Sequence, residues 1–566
     1  MRILLLTQSF NSLAQRFYTV LEDSGHNISV EFDIHETVTL EAVNTFKPDL
    51  VIAPYLRRKI SREVTNKVLC WIVHPGPAGD RGPSALDWAI LRGEASWGTT
   101  ILEAIEEYDA GPIWASSTFP MRMASKSSLY RREISDAAVV CLITALKKFE
   151  ESGSNANHGI EPAGQFRRKI TAEDRKIDWK NDTVLTVLRK IWSADGSPGV
   201  LDEINGFPFY FHDALPAEGL GGLPGEVLGV NAGAVCKAAV DGAIWIRHLR
   251  PLKDGDGRGI KLPSVQWLNQ RGLELPVLKQ SPPEQIIFEA RNGIGYFHFP
   301  FYNGAMSTVQ CQQLRQEIRL RKTGPEKVWV LSGGPDFWSN GLHLGQIEQA
   351  ESPADESINN ITAMNDLVRE LIYCTDKYII AALAANAAAG GVFLSLSADK
   401  IIAREGVILN PHYRNMGNLY GSEYWTYLLP RRLNPQAARE LMQRRLPMSA
   451  KRAFGIGLID DVFRAGRDSF RGRIHAYARS VNEGEISGLL DKKSKNLAAD
   501  NGRKMISAYV KGEMEKMKLN FYGFDPSYHI ARYNFIRKQP LSWTPLYLAK
   551  HRAPAPENTI LNQKKG

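Results

Sequence analysis

The chain has 566 residues, of which 43% are hydrophobic and 23% charged, and its formal net charge is +9. This length predicts several domains, and the composition is that of a globular protein in water. No apolar run approaches the roughly 20 residues that a membrane span needs. Five cysteines without a Cys-x-x-Cys pair indicate neither a disulfide framework nor a zinc site and favour a reducing cytosol. The positive charge favours anionic ligands without choosing among them.

The first 155 residues alternate short apolar runs with amphipathic stretches, a pattern typical of α/β domains. The predicted strands are Ile3–Leu6, Ile28–Phe32, Leu50–Ala53 and Val68–Val73. Predicted helices include Ser12–Ser24 and Ser84–Arg92. These elements predict a mostly parallel sheet, in which ligands bind beyond the carboxyl ends of the strands. His74 directly follows the last of these strands.

Three further segments follow a polar linker that runs from Glu150 to Gln165. Residues 166–270 carry Gly/Pro turns and short alternating runs, which predict a small β-rich domain. Residues 284–470 return to α/β alternation and include an expected strand at Lys400–Ala403. Residues 471–566 mix charge with helical periodicity, which predicts a helical C-terminal extension.

Three motifs in the first segment carry candidate chemistry: Ile72–Pro75 (Ile-Val-His-Pro), Arg81-Gly82 and Asp109–Ile113 (Asp-Ala-Gly-Pro-Ile). A histidine and an aspartate that meet at a strand end can move the protons of an acyl transfer. In this order the motifs resemble those of folate-dependent formyltransferases. Phe166–Trp179 resembles the start of the second domain of methionyl-tRNA formyltransferases. The resemblance implies a Rossmann-like domain followed by a small β-barrel-like domain.

The same resemblance implies that 10-formyltetrahydrofolate is the formyl donor, with His74 and Asp109 as catalytic residues. Ile72, Arg81, Gly82 and Asp109 would form the folate site. Ile72 departs from the family, which has an asparagine here that donates a hydrogen bond to the formyl oxygen; losing such a donor typically costs about 10²–10³ in rate. Two interpretations stay open. The domain has lost its activity, or its acceptor is a thiol, whose greater nucleophilicity relaxes the need for that donor.

A second set of motifs lies in residues 284–470: Asn303–Met306, Phe337–Leu344, Ala389–Gly391 and Ala398-Asp399. Their order resembles that of the crotonase (enoyl-CoA hydratase/isomerase) family. The resemblance implies an oxyanion hole in which the backbone N–H groups of Leu342 and Gly390 hold a thioester carbonyl.

Hydratases of the crotonase family use two glutamates to add water to a double bond. Here the first position is Phe393, beside Gly391 at the expected thioester site, and the second falls in Asn410–Tyr413 without a carboxylate. Hydration of an enoyl group is therefore not expected. Tyr413 and Glu423 are instead candidates to bind or deprotonate a formyl group in an apolar pocket. A purely structural aromatic cluster is the alternative.

The two halves together resemble the HypX/HoxX family of hydrogenase maturation proteins over nearly the whole chain. This resemblance implies a cytoplasmic enzyme that transfers a formyl group to coenzyme A and then splits formyl-CoA into carbon monoxide and coenzyme A, without a metal. The carbon monoxide would serve the cofactor of a [NiFe] hydrogenase. The expected partners are small-molecule substrates and hydrogenase cofactor-assembly proteins, with neither nucleic acid nor membrane.

Four side chains are candidates to bind the phosphates of coenzyme A, each with a solvated surface role as its alternative. They are Gln15, Arg131, Arg532 and Arg537. Three other functions also stay open. The formyl acceptor could be another molecule, or the chain could be a non-catalytic scaffold that binds folate or coenzyme A, which both lost residues favour. RNA binding is the weakest, because the sequence concentrates no patch of basic and aromatic residues.

Overall fold

The computed structural model describes residues 1–153, 164–254 and 257–553. The chain divides into two compact units. The first unit comprises the described residues of Met1–Asp174 and of Pro540–Gly566, and the second comprises those of Arg175–Gln539. The four domain boundaries expected from the sequence stay predictions.

The first unit is built on a six-stranded sheet. Its strands are β1 (Arg2–Thr7), β2 (Asn27–Phe32), β3 (Leu50–Tyr55), β4 (Cys70–His74), β5 (Ser96–Glu103) and β6 (Ile113–Pro120). They lie in the order β2-β1-β3-β4-β5-β6. The four predicted strands are confirmed, and β1 to β4 pair in parallel. The remaining pairings, β4 with β5 and β5 with β6, are antiparallel.

The helices of the first unit bury one apolar face against the sheet. They are α1 (Ser12–Asp23), α2 (Glu36–Phe46), α3 (Arg62–Thr65), α4 (Ala85–Arg92), α5 (Lys126–Leu129) and α6 (Ser135–Ser152). In α1, Leu13, Phe17 and Leu21 recur at helical spacing and are fully buried. Asn11 caps this helix by accepting a hydrogen bond from the N–H of Ala14. Most of the predicted linker, from residue 154 to residue 163, lies outside the described residues.

The C-terminal segment of the chain returns to the first unit and covers its edge strand β2. The N–H of Val30 donates to the carbonyl of Leu548, 3.0 Å away. Glu31 is fully buried beneath this segment, where its carboxylate bonds His551 Nε2 at 3.0 Å and Arg552 Nε at 2.9 Å. Burial alone would raise the pKa of Glu31, but these hydrogen bonds hold it below its ordinary value.

The second unit begins with a β-rich part, as predicted. Its strands are β7 (Val200–Ile204), β8 (Phe207–Ala217), β9 (Val227–Asn231), β10 (Ala234–Ala239), β11 (Gly242–Pro251), β12 (Lys253–Asp254), β13 (Gly257–Arg258) and β14 (Leu262–Pro263). An antiparallel sheet runs in the order β7-β8-β11-β10-β9, and β14 pairs with β11. Two helices, α7 (Val184–Ser193) and α8 (Ser264–Gln270), pack on it.

The second unit continues with an α/β part whose main sheet is mostly parallel. Its strands are β15 (Ile287–Arg291), β16 (Ile294–His298), β17 (Ala305–Met306), β18 (Val328–Gly333), β19 (Phe337–Ser339), β20 (Gly341–Leu342), β21 (Tyr378–Leu383), β22 (Asn386–Ala388), β23 (Lys400–Arg404), β24 (Ile408–Asn410), β25 (Met448–Ser449) and β26 (Asp461–Phe463). The main sheet has the order β15-β16-β18-β21-β23-β26, and β19-β22-β24-β25 form a smaller one. Three motifs of the second set follow the carboxyl ends of the parallel strands β16, β18 and β22, whereas Ala398-Asp399 precedes β23.

Helices complete the large core of this α/β part. They are α9 (Thr308–Arg321), α10 (Leu344–Gln349), α11 (Pro353–Ile372), α12 (Gly390–Leu396), α13 (Trp425–Leu428), α14 (Pro435–Gln443), α15 (Ala450–Gly455), α16 (Arg467–Glu483), α17 (Ile486–Arg503), α18 (Ile506–Tyr522) and α19 (Ser527–Arg537). The helical periodicity predicted after residue 471 is confirmed by α16 to α19. In the part of the chain that the structure describes, no helix is long and apolar enough to cross a bilayer.

Glu31→Gln tests what the C-terminal segment contributes to the first unit. We expect a loss of about 3–5 kcal/mol in the free energy of unfolding, because Arg552 would lose its charge partner and buried His551 would lose the carboxylate to which it is hydrogen-bonded. Trypsin should also cut faster at Lys550 and Arg552. Glu41→Gln is the matched control, because Glu41 pairs with Arg552 from an exposed position and such pairs contribute about 0–1 kcal/mol. Equal stability of the two variants in denaturant would contradict the proposed anchoring.

Candidate active sites

His74 is the last residue of β4, at the edge of the sheet where the parallel strands end. Its backbone lies opposite Thr100 of β5. Ile72 precedes it by two residues, so both side chains lie on one face of the strand. Ile72 is half-buried. An aliphatic side chain therefore neighbours His74 at the position where the asparagine was expected.

The ring of His74 lies between two carboxylates. Its Nε2 is 3.0 Å from Asp80 Oδ2, and its Nδ1 is 3.4 Å from Asp109 Oδ2. The His74 side chain is only 3% exposed. Burial by itself would lower the pKa of His74, but its hydrogen bonds to Asp109 and Asp80 raise it to about 9. The two carboxylates therefore favour the protonated form of the His74 ring.

Asp80 was not among the residues predicted from the sequence. Its second carboxylate oxygen accepts a hydrogen bond from Arg167 Nε. The loop between His74 and Asp80 turns tightly at Gly76, where an added Cβ would lie 2.5 Å from His74 Nε2 and 2.7 Å from Asp80 Oδ2. The sequence did contain a signal, because an aspartate directly precedes the Arg81-Gly82 motif.

Gly82 holds the carboxylate of Asp109 in place. Its N–H donates to Asp109 Oδ2 at 3.0 Å, and its φ of +114° is a backbone conformation that favours glycine. An added Cβ there would lie 2.0 Å from the carbonyl oxygen of Arg167. Arg81, by contrast, pairs with the exposed Glu107 at 2.6 Å. The structure thus brings Gly82, Asp109 and His74 together, while the Arg81 guanidinium pairs outside this group.

The two segments of the expected oxyanion hole are neighbours in the second unit. Gly341 has a φ of +76°, and an added Cβ there would lie 3.0 Å from the backbone nitrogen of Gly390. Gly391 lies against Ser339, whose carbonyl oxygen would be 2.1 Å from an added Cβ. Strand β20, which ends at Leu342, therefore packs directly on the start of α12.

Glu423 lies against the same backbone. Its side chain is fully buried, and Tyr413 donates a hydrogen bond to its Oε2 at 2.6 Å. The ring of Tyr413 stacks on Phe393 with 5.2 Å between ring centroids. Among the described residues the other oxygen, Oε1, has no hydrogen-bond partner, and it would lie 2.2 Å from a Cβ added to Gly390. Burial raises the pKa of Glu423 to about 7.

The backbone that presents Glu423 is strained and firmly held. Glu423 and Tyr424 both have a φ of +60°, which non-glycine residues rarely adopt. Asn365 Oδ1 accepts the N–H of Glu423 at 2.8 Å. Glu513 accepts the N–H groups of Tyr424 at 3.0 Å and of Thr426 at 2.8 Å. These bonds stabilise a conformation that would otherwise be unfavourable.

Glu513 is a second site residue that the sequence-based prediction missed. It lies in α18 on the same buried stripe as Ile506, Met517 and Phe521. The sequence could have indicated this residue, because an acidic side chain at a position of an otherwise apolar helical stripe is unusual. Burial raises the pKa of Glu513 to about 7 against the opposing hydrogen bonds from Thr426. Its charge in turn raises the pKa of Glu423.

The two candidate phosphate-binding residues of the second unit already form ion pairs and hydrogen bonds within that unit. Arg532 is buried, and its Nε pairs with Glu348 at 2.8 Å. Arg537 bonds Asp254 at 3.0 Å and the carbonyl of Arg258 at 2.6 Å. These contacts give both arginines a structural role. Binding of coenzyme A phosphates by either residue stays a prediction.

The candidate anchors of the first unit are half-buried. Gln15 lies in α1, and its amide Nε2 donates to the carbonyl of Phe10 at 2.9 Å. Arg131 lies in a π-helical turn, Tyr130–Ile134, between α5 and α6. Their role in binding phosphate also stays a prediction. The described ranges contain no cluster of three or more histidines, cysteines or carboxylates that could hold a metal ion.

Three family profiles match the chain in the expected order. Residues 16–146 match the formyl transferase family, and residues 169–256 match the C-terminal domain of formyl transferases. Residues 305–503 match the enoyl-CoA hydratase/isomerase family. The α/β multidomain architecture, with a Rossmann-like formyltransferase domain and a crotonase-like domain, is thus confirmed.

Two relatives match almost the full length. The chain is 46% identical to the hydrogenase maturation factor HoxX of Bradyrhizobium diazoefficiens over 98% of its own length and 97% of that protein. A crystal structure of HypX from Aquifex aeolicus in complex with tetrahydrofolic acid superposes with a TM-score of 0.93 at 47% identity, covering 98% of this chain and 99% of that one. A methionyl-tRNA formyltransferase of Streptococcus pneumoniae is 24% identical over 30% of this chain and 54% of its own. The chain belongs to the HypX/HoxX family of hydrogenase maturation factors.

Proposed function

We propose that this protein produces carbon monoxide for a [NiFe] hydrogenase in two steps. The first unit transfers the formyl group of 10-formyltetrahydrofolate to the thiol of coenzyme A. The crotonase-like part of the second unit then splits formyl-CoA into carbon monoxide and coenzyme A. Family membership, the formyl transferase match and the tetrahydrofolate bound by the Aquifex aeolicus relative support the first step.

The first step balances without any further reactant. The sulfur of coenzyme A attacks the formyl carbon, the C–S bond forms and the C–N10 bond of the folate breaks. The thiol proton ends on N10. His74 and Asp109, which lie 3.4 Å apart at the end of β4, would carry these protons. A thiol is a better nucleophile than an amine, which fits the aliphatic Ile72 beside them.

The second step rests on one observation: a fully buried carboxylate oxygen of Glu423 lies against Gly390 without a partner among the described residues. Bound formyl-CoA would place its carbonyl at this backbone. Glu423 would then accept the formyl proton as the C–S bond breaks, and carbon monoxide would leave. The proton passes to the departing sulfur and regenerates the thiol. No electrons are transferred.

An apolar lining at the second site would keep out the water that hydrolyses a thioester to formate. Phe393 is fully buried and stacks on Tyr413. It replaces the carboxylate with which a hydratase of this fold would hold its water. The site therefore favours loss of carbon monoxide over hydration.

The proposed partners follow from this chemistry. The small molecules are the formyl folate and coenzyme A, whose thioester is the product of the first step and the substrate of the second. We infer that hydrogenase cofactor-assembly proteins receive the carbon monoxide, in the cytoplasm where folate and coenzyme A are available. All five cysteines are buried free thiols, which is compatible with that compartment.

The whole proposal is tested by incubating the protein anaerobically with formyl-labelled 10-formyltetrahydrofolate and coenzyme A. We expect labelled carbon monoxide in the gas phase, together with tetrahydrofolate. Tight binding of both ligands without turnover would favour a scaffold instead. Formyl transfer without any requirement for coenzyme A would favour another acceptor.

His74→Ala should slow tetrahydrofolate formation by about 10²–10⁴-fold, because the transfer loses its proton-handling group. Release of carbon monoxide from supplied formyl-CoA should continue at the normal rate. His26→Ala, at a histidine of the first unit outside the site, is the control. A variant at His74 that still consumes the formyl folate normally would refute this assignment.

Glu423→Gln should leave folate consumption intact and slow carbon monoxide release by about 10²–10⁴-fold, since the amide cannot accept the formyl proton. Formyl-CoA or formate should accumulate instead, as measured by chromatography. Glu326→Gln, at another buried glutamate of the second unit, controls for the loss of a buried charge. Normal gas production by Glu423→Gln would exclude Glu423 as the base.

Carbon monoxide release from supplied formyl-CoA should rise as the pH rises through about 7, because only ionised Glu423 can accept the proton and burial places its pKa there. Tyr413→Phe removes the hydrogen bond that lowers this pKa, so the midpoint of the profile should move to higher pH. Tyr378→Phe, in β21, serves as control. A midpoint unmoved in Tyr413→Phe would show that Glu423 is not the titrating group.

A further inference from the structure

Four side chains that can carry a charge form one contact group in the proposed formyl-transfer site of the first unit. His74 is flanked by Asp80 and Asp109, and Asp80 is held in turn by Arg167. The side chains of His74 and Asp80 are only 3% and 5% exposed, and that of Arg167 is 12% exposed. Water therefore has little access to screen these charges.

The charges of this group sum to zero only when His74 is protonated. Asp80 and Asp109 contribute two negative charges, and Arg167 contributes one positive charge. A neutral His74 would leave one carboxylate uncompensated in a buried position, which is costly.

The charged residues next to this group do not change that balance. Arg81, which follows Asp80 in the chain, pairs with Glu107, so its charge is compensated outside the group. On β5, the residue opposite His74 is the uncharged Thr100.

A protonated His74 has a different chemical role from a neutral one. An imidazolium has no lone pair, so it cannot take the proton of the incoming thiol. It can instead stabilise the negative charge that develops on the formyl oxygen, and it can donate a proton to the leaving nitrogen. Ile72 offers no donor for that charge.

We propose that Asp80 is a positioning residue for formyl transfer, which fixes the His74 ring and keeps it in the imidazolium form, so that this cation replaces the asparagine that is absent at Ile72. This inference rests on the proposed transfer to a thiol. As the C–S bond forms, His74 stabilises the oxyanion. As the C–N10 bond breaks, His74 gives its proton to N10, and the proton released by the thiol restores the imidazolium.

The ionisation state of His74 is measured first, without substrate, by following isotope-labelled histidine in NMR titrations, with the His74 signal assigned from His74→Ala. In the natural protein we expect a pKa of about 9. In Asp80→Asn, which keeps the shape and removes the charge, the pKa should fall toward the ordinary 6.5 of a histidine. Asp80→Glu keeps the charge and should keep the raised value.

Single-turnover formyl transfer is measured next as a function of pH. The natural protein should lose activity only above about pH 9, where His74 loses its proton. Asp80→Asn should be slower by about 10²-fold, the typical cost of one oxyanion-stabilising group. Its loss of activity should begin at lower pH, and Asp80→Glu should restore much of the rate. Asp87→Asn, at a buried aspartate paired with Lys126, is the control and should behave like the natural protein.

The outcomes distinguish this inference from the proposed function. A natural protein that makes no formyl-CoA refutes the function, while the titration still tests the state of His74. A neutral His74 at pH 7 in the natural protein overturns the inference, and this measurement does not depend on any variant folding. It is equally overturned if Asp80→Asn leaves the pKa of His74 unchanged, or if that variant becomes faster at neutral pH, as it would were His74 a base.

Discussion

The burial of the Glu423 carboxylate against the backbone of Gly390 is the constraint on which the second site depends. Only glycine leaves room for that carboxylate oxygen. The loop that delivers it adopts left-handed backbone angles, which persist because Asn365 and Glu513 bond its N–H groups. The C-terminal helix α18 supplies Glu513, so this helix belongs to the site as much as the crotonase-like motifs do.

The first site also shifts the pKa of a buried side chain, but the side chain is a histidine instead of a carboxylate. In the second unit burial raises the pKa of the Glu423 carboxylate and makes it a stronger base. In the first unit two carboxylates enclose His74, and their hydrogen bonds make it a weaker acid. Both sites tune a proton-transferring group through burial and neighbouring charge, and neither uses a cluster of metal-binding side chains among the described residues.

Much of the fold could be predicted, because the spacing of apolar residues and the position of turn residues depend on only a few neighbouring positions in the sequence. Strands β1 to β4 and helices α1 and α4 appear close to their expected bounds. The motifs also indicated His74, Asp109, Tyr413 and Glu423, which the structure places in two groups. Asp80 was missed because its place in the site depends on its contact with Arg167, which lies 87 residues later in the chain. The antiparallel strands β5 and β6 were also not predicted.

The first unit contains both ends of the described chain, and this has a consequence for synthesis on the ribosome. Strand β2 leaves the ribosome long before the segment that pairs with Val30 and bonds Glu31, because 519 residues separate Ser29 from its partner Leu548. Throughout translation of the residues between them, an unpaired strand edge and an uncompensated carboxylate remain exposed. Nascent chains of this protein are therefore expected to bind chaperones until residues 548–552 have been made and can cover β2.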